Sequence, residues 1–364
     1  MPPSAHCVQV TGILFLILCL TPFNLRTHGP SYLLDVACID AGASCATVGV
    51  SNLPHCSYAP VAVCMEGGLG NHLFGVAFGV ALSMRRARSI TQLTLIRAEA
   101  AHPRAPQTSS LHHSLLSPFK MAPSAKDYLK SMGQSEDELI MISSSISTSC
   151  GSDEFPANWT AVPCGTIQIA SGQFGNAGFF VDYEEELRAL LAVPPEFDRE
   201  FRRLYNDSLG SLNFWAMHVR RGDYVGGGQL LPLEYFEAAA RVMSSTVPEN
   251  SSIFVFSDDI QWTREQRVFT DLPGVVFVDE SDTLTSFYYL VLAAEGGIVC
   301  SNSTFCWWAA FLSAGRRIAL ESRLAIFAEL WAVDRSLTGL FGDKDCGVGL
   351  YLPFMTILPG FPLG

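Results

Sequence analysis

The stretch Asn213–Gly228, NFWAMHVRRGDYVGGG, runs apolar as far as Val219, turns basic at Arg220 and Arg221, and ends in glycine. Three later stretches repeat the theme: IFVFS gives way to DDIQWTREQ over 253–266, VVFVDE to SDTLTSFYYLVLAAE over 275–295, and GIVC to SNSTFCWWAAFLSAG over 297–315. A short apolar run, a polar turn and a helix-period stretch make one strand–turn–helix unit. Units in succession predict a parallel sheet with helices on both faces. In such open sheets ligands bind beyond the carboxyl ends of the strands, where these polar turns collect.

Working toward the N-terminus, VAVCM at 61–65 reads as a buried strand, and GGLGNHLF at 67–74 as a tight loop entering a helix whose apolar positions include Leu73, Phe74, Ala77, Phe78, Ala81 and Leu82. The loop lacks the G-K-[ST] ending of a P-loop, and Leu73 stands where the dinucleotide fingerprint needs a small residue, so it satisfies neither nucleotide motif. Residues 101–160 are Ser-rich and weakly periodic, which predicts long loops and short helices. Charged helices broken at Pro194-Pro195 form an inter-domain connection. The expected division is residues 1–30 as a tail with a signal-anchor or signal peptide, 31–209 as a first α/β domain, and 210–364 as a second α/β domain.

Hydrophobic residues make up 49% of the 364-residue chain and charged ones 16%, the balance of a core-rich globular protein. A formal charge of -12 argues against nucleic acid, whose phosphates call for broad basic surfaces. Cys7 to Leu25 is apolar and uncharged, and reads as a membrane anchor or a signal peptide, although no Lys or Arg precedes it and Arg26 follows. Sequons at Asn158, Asn206, Asn250 and Asn302 fit a secretory setting. Of 11 cysteines, Cys38, Cys45, Cys56 and Cys64 crowd the segment after the apolar run, where some disulfides are expected.

Side chains alternate along a strand, so His218 and Arg220 face one side while Arg221 begins the turn. Two guanidinium groups at a strand's carboxyl end suit a pyrophosphate, because each stays charged and presents a planar fork of donors. The alternative is that both pair with surface carboxylates. Arg221-Gly222-Asp223 also spells an adhesion tripeptide, but it abuts an apolar strand, whereas adhesion needs a flexible loop tip. Ser301, Asn302, Ser303 and Thr304 lie between a strand and a helix, where any of them can cap the helix and its free amides attract an anion. An Asn302 buried near ligand would leave its sequon without glycan. Asp258 and Asp259 end a strand and are site candidates, while Asp343-Lys-Asp345 reads as a solvated turn rather than a metal motif.

In that order and at those distances, GGLGNHLF, HVRRGDYV, FSDDIQW and NSTFCWWAAFL resemble the α-1,2-fucosyltransferase family over most of residues 60–315. The resemblance implies an α/β protein of the GT-B type, with two Rossmann-like domains facing a cleft. It implies transfer of L-fucose from GDP-β-L-fucose to the 2-hydroxyl of a β-galactoside glycan acceptor, with inversion, and with neither metal nor cofactor. It also implies a Golgi type II membrane protein held by its N-terminal segment, or a secreted one if that segment is cleaved. Arg220, His218 and Asp223 would be catalytic, with Asp223 or Glu66 as candidate base. Arg221, Asn71, Gly68, Gly70, Ser257, Asp258, Asn302, Ser303 and Thr304 would bind the donor. His72 stands where the family commonly has Gln and Cys306 where it has Ser, and residues 101–160 are the expected seat of acceptor choice. A fucosyltransferase of another linkage, or a protein that binds GDP-sugar or glycan without turnover, are the alternatives.

Overall fold

The structure, a computed structural model, describes residues 60–65, 67–87, 93–97, 115–116, 118–133, 139–143, 167–171, 174–205, 214–245, 251–314, 324–328, 352 and 354–358. The N-terminal apolar run, Glu66, the sequons at Asn158, Asn206 and Asn250, Asp343-Lys-Asp345 and Cys38, Cys45 and Cys56 lie outside them.

The first half builds a parallel sheet from β1 (Val61–Met65), β2 (Leu93–Arg97), β3 (Lys120–Ala122), β4 (Leu139–Ser143) and β5 (Ile167–Ser171), in the order β3-β2-β1-β5-β4. Helix α1 (Leu69–Ala87) follows β1, and α2 (Ala125–Ser131) follows β3, capped by the Ser124 hydroxyl, which accepts from the Asp127 N–H. Two of these strands, β3 and β4, fall in the Ser-rich region read as loops and short helices. LIMIS is a short apolar run of the kind a fully buried strand shows, but the polar residues around it dilute the period.

Two short helices, α3 (Glu184–Leu190) and α4 (Pro195–Leu204), lead to the second half. Pro195 opens α4, where a missing N–H costs nothing. There β6 (Phe214–Val219), β7 (Ser252–Ser257), β8 (Val275–Val278), β9 (Gly297–Cys300), β10 (Leu324–Ala328) and β11 (Met355–Leu358) form a second parallel sheet, ordered β11-β10-β9-β6-β7-β8. Its helices are α5 (Leu233–Ser244), α6 (Ile260–Glu265), α7 (Arg267–Thr270), α8 (Thr283–Ala293) and α9 (Thr304–Ala314). The expected α/β architecture with parallel sheets is therefore present. Among the described residues no helix is long and apolar enough to cross a membrane.

Alternation along β6 sorts its side chains into two layers. Trp215, Met217 and Val219 pack with Tyr235, Phe236 and Met243 of α5, while Phe214 and Ala216 join a larger core on the other face. That larger core is shared by both sheets: it holds Val61, Val63 and Leu95 of the first and Phe254, Ile298 and Phe327 of the second. The seam is aromatic. Phe74 of α1 lies 4.8 Å from Trp307 and 5.2 Å from Trp308 of α9, and Phe180 stacks on Trp308 at 5.6 Å, with both tryptophans fully buried. Each such ring removes a large apolar area from water, so this seam ties one half of the molecule to the other.

A disulfide joins Cys300, the last residue of β9, to Cys306 in the first turn of α9. It closes the intervening loop into a covalent ring and was not anticipated from sequence. Replacing both cysteines by alanine is expected to cost about 2 kcal/mol, the chain-entropy value for so short a ring, read as a lower melting temperature. An unchanged melting temperature would show that packing alone holds this loop.

Candidate active site

Both sheets reverse their strand order at one point, between β1 and β5 in the first and between β6 and β9 in the second. At these points neighbouring loops leave in opposite directions and open a crevice at the strands' carboxyl ends. The loop after β1 is the glycine stretch. The loops after β6 and β9 carry the two arginines and Ser301–Ser303.

Ser301, fully buried, seals the second crevice. Its hydroxyl donates to the His218 carbonyl at 2.8 Å and accepts the Arg220 N–H at 2.8 Å. Asp258 fixes the turn from the other side. Its Oδ1 accepts from the N–H groups of Arg221 (2.8 Å) and Gly222 (3.2 Å), and its Oδ2 pairs with Arg220 Nη1 at 2.6 Å. Arg220 Nη2 meets Asp223 at 2.6 Å, and its guanidinium lies 5.3 Å from the centre of the Tyr224 ring. The Tyr224 hydroxyl donates to the Asn302 carbonyl at 3.0 Å, linking the two loops.

Arg221 takes a different course. Its Nε donates to Asp259 at 3.1 Å and its guanidinium stacks 3.4 Å over the Trp262 ring. Ser257 serves this cluster by accepting the Asp259 N–H at 3.0 Å. The Arg-Gly-Asp tripeptide is thus a 3-10 turn tied to strand ends and not the flexible tip that adhesion requires.

His218 is buried on the inner face of β6, its ring stacked on Phe305 at 5.6 Å and its Nδ1 without a hydrogen-bond partner. Burial lowers its pKa to about 4; Asp258 pulls the other way and Arg220 adds to the fall. The sign for stability follows from linkage. Above the ordinary histidine value near 6.5 neither the folded nor the unfolded state holds the proton, and this contribution is fully present. As pH falls from there toward about 4 the unfolded chain binds a proton that the folded chain refuses. A loss on the order of 3 kcal/mol is expected over that window, and His218→Phe should flatten it in pH-dependent denaturant unfolding. An identical slope in the variant would assign the acid sensitivity to other groups.

The glycine loop meets this site from the first sheet. Gly67 has φ +76°, the left-handed region that favours glycine, and Gly68 is open, its carbonyl accepting the His72 N–H at 3.1 Å as α1 begins. Gly70 packs against α9: a Cβ there would lie 2.4 Å from backbone atoms of Thr304 and Phe305. Beside it Thr304 donates its hydroxyl to Asn71 Oδ1 at 2.9 Å. The starts of α1 and α9 therefore converge. Each helix start carries amides without intrahelical acceptors and a partial positive charge, and neither helix has an acidic residue in its first turn. Two such ends brought together favour an anion between them.

Residues 157–328, which include every strand-end residue of the second crevice, match the family model described as glycosyl transferase family 11. Over these residues the chain is similar to glycosyl transferase family 11. The chain is 30% identical over 149 residues to an α-1,2-colitosyltransferase of Escherichia coli, covering 39% of this chain and 50% of the relative. It is 29% identical over 140 residues to the O-antigen biosynthesis glycosyltransferase WbnK of Escherichia coli, covering 36% and 43%. The chain spans about half the length of these curated relatives. Among solved structures it is similar to the fucosyltransferase NodZ from Bradyrhizobium (14% identity, TM-score 0.41, 69% of this chain and 92% of that one). Another is the E. coli ADP-heptose lipopolysaccharide heptosyltransferase II (11% identity, TM-score 0.42, 82% and 90%).

In the residues that the family model matches, the structure brings Arg220, Asp223, Asp258 and the Ser301–Ser303 loop together, and the contact through Thr304 adds Asn71 and Gly70. Arg221 and Ser257 sit with Asp259 and Trp262 instead. Asn302 is buried, its amide donating to the Gln229 carbonyl at 3.1 Å, which leaves a glycan no room in the folded chain. Ser301 and Tyr224 were missed as architectural residues. Their side chains bond to backbone groups far away in sequence, and no local pattern announces such a partner.

Proposed function

We propose that this chain is a GT-B type glycosyltransferase that moves L-fucose from GDP-β-L-fucose to the 2-hydroxyl of a terminal β-galactoside, with inversion and without metal. The observation that carries the reading is the convergence of two helix starts, of which α9 lies, with Arg220, in the residues that match the model of glycosyl transferase family 11. In this reading the diphosphate lies across the amides at the start of α9, with Ser303 and Thr304 beside it and Asn71 reaching over from the first turn of α1. Arg220 takes up the negative charge that grows on GDP as the bond to the fucose anomeric carbon breaks, a role a fixed guanidinium performs without reorganisation. Asp223 accepts the proton of the galactose hydroxyl as its oxygen joins that carbon. His218, neutral at physiological pH, holds the inner wall.

The setting proposed is the Golgi lumen, with the apolar run Cys7–Leu25 as anchor. A disulfide at Cys300–Cys306 fits an oxidising compartment. A second donor reading has one specific support: a relative named as a colitosyltransferase points to other deoxy-sugar nucleotides.

The test is incubation of the full chain with GDP-fucose and a panel of β-galactosides, with and without chelator, followed by linkage analysis. An α-1,2-linked product formed equally in chelator is expected. Transfer only from a different nucleotide sugar would overturn the donor, another linkage would overturn the acceptor position, and tight GDP binding without product would make this a binding protein.

A further inference from the structure

Arg220 has both ends of its guanidinium taken by carboxylates, Asp258 on Nη1 and Asp223 on Nη2, each at 2.6 Å. Counting Arg221 with Asp259, two cations face three anions at the end of β6. A turn with negative charge in excess is a poor place for a diphosphate, unless one carboxylate leaves as the ligand arrives. The two partners of Arg220 differ in exposure and in the backbone that carries them. Asp258 is anchored by the backbone N–H groups of Arg221 and Gly222. Asp223 is half exposed and sits on a 3-10 turn that runs through Val225 into Gly226, Gly227 and Gly228, the last with φ +64°. Glycine gives that segment backbone freedom, while Val225 stands well out in solvent.

We infer that Asp223 is a placeholder anion: it occupies Arg220 in the empty protein and is displaced by the donor diphosphate, which hands the carboxylate over to the acceptor side of the crevice. Donor then binds before acceptor, because the carboxylate that receives the acceptor hydroxyl is tied to Arg220 until the phosphate replaces it. The transfer itself balances: the hydroxyl oxygen bonds to the anomeric carbon, the carbon–phosphate oxygen bond breaks with its electron pair leaving on GDP, and the proton passes to Asp223. The inference rests on the donor site proposed above.

The experiment is calorimetric titration of GDP into the full chain and into Asp223→Asn, Asp223→Glu and Asp258→Asn. Removing a competing exposed ion pair should tighten GDP binding by about three- to fivefold in Asp223→Asn, although transfer activity falls. Asp223→Glu, which keeps the competing charge, should bind GDP as the unaltered chain does. Asp258→Asn should bind more weakly, because it loosens the turn that aims Arg220. Weaker or unchanged GDP binding in Asp223→Asn, with the unaltered chain binding normally, would overturn the placeholder role alone. Failure of the unaltered chain to bind GDP would overturn it together with the donor site. In steady-state kinetics, an unreactive acceptor analogue should be uncompetitive against donor; noncompetitive inhibition, the random-order pattern, would overturn the order of binding.

Discussion

Arg220→Ala is expected to lower kcat/KM by about a thousandfold, the upper end of what losing one preorganised donor to a developing anion costs. Most of the loss should fall on kcat, since in the proposed reaction negative charge on the diphosphate grows between the bound donor and the transition state. Thermal unfolding should move little, because the turn keeps its other ties: Ser301 to the residue 220 N–H, and Asp258 to the N–H groups of Arg221 and Gly222. Arg220→Lys separates charge from shape. A lysine restores the cation but not the fork that reaches Asp223 and Asp258 together, so only partial recovery is expected. Retention of most kcat in the alanine variant would mean that another group receives the charge, with Arg221 the first to examine. Arg221 starts from a disadvantage, since its guanidinium already stacks on Trp262 and pairs with Asp259.

Gly70→Ala should be strongly damaging for a single added methyl. The added carbon would stand 2.4 Å from the Thr304 carbonyl carbon and the Phe305 nitrogen, and backbone cannot swing aside as a side-chain tip does. Overpacking costs about 1–3 kcal/mol and occasionally more, and here relief requires α1 and α9 to part. That parting would break the Thr304–Asn71 hydrogen bond and disturb the contacts of Phe74 with Trp307 and Trp308. Expected are a fall in melting temperature of several degrees, a rise in donor KM, and quenching of the buried tryptophans. Gly68→Ala is the control, because a Cβ there meets open space. If both variants behave alike, close approach at residue 70 is not what the loop provides.

Much of the second sheet was legible because its strands are short, apolar and separated by turns that cannot continue them. The period-2 pattern sets His218 and Arg220 on one side of the strand, and in the structure His218 is buried. The first sheet was harder. β3 has three residues and β4 hides among serines, so neither offers enough length for a period to stand out. At the site, residue types were readable but partners were not. Asp258 looked like a ligand contact from its place at a strand end, whereas its first duty is to hold the turn of Arg221 and Gly222. The resemblance places Gly68 and Gly70 together among the donor contacts, and a Cβ at Gly68 would meet open space. Gly70 instead serves helix against helix, a contact across 234 residues of chain to Thr304 that no local pattern encodes.

The aromatic seam bears on how this protein tolerates rearrangement. Phe74, Phe180, Trp307, Trp308 and Phe311 interlock from segments far apart in the chain, so neither half presents a finished surface when cut from the other. Chimeras that graft a relative's amino-terminal half onto this carboxyl-terminal one will need to carry matching rings at positions 74 and 180 along with it. Specificity is better transplanted through exposed loops than by exchanging halves.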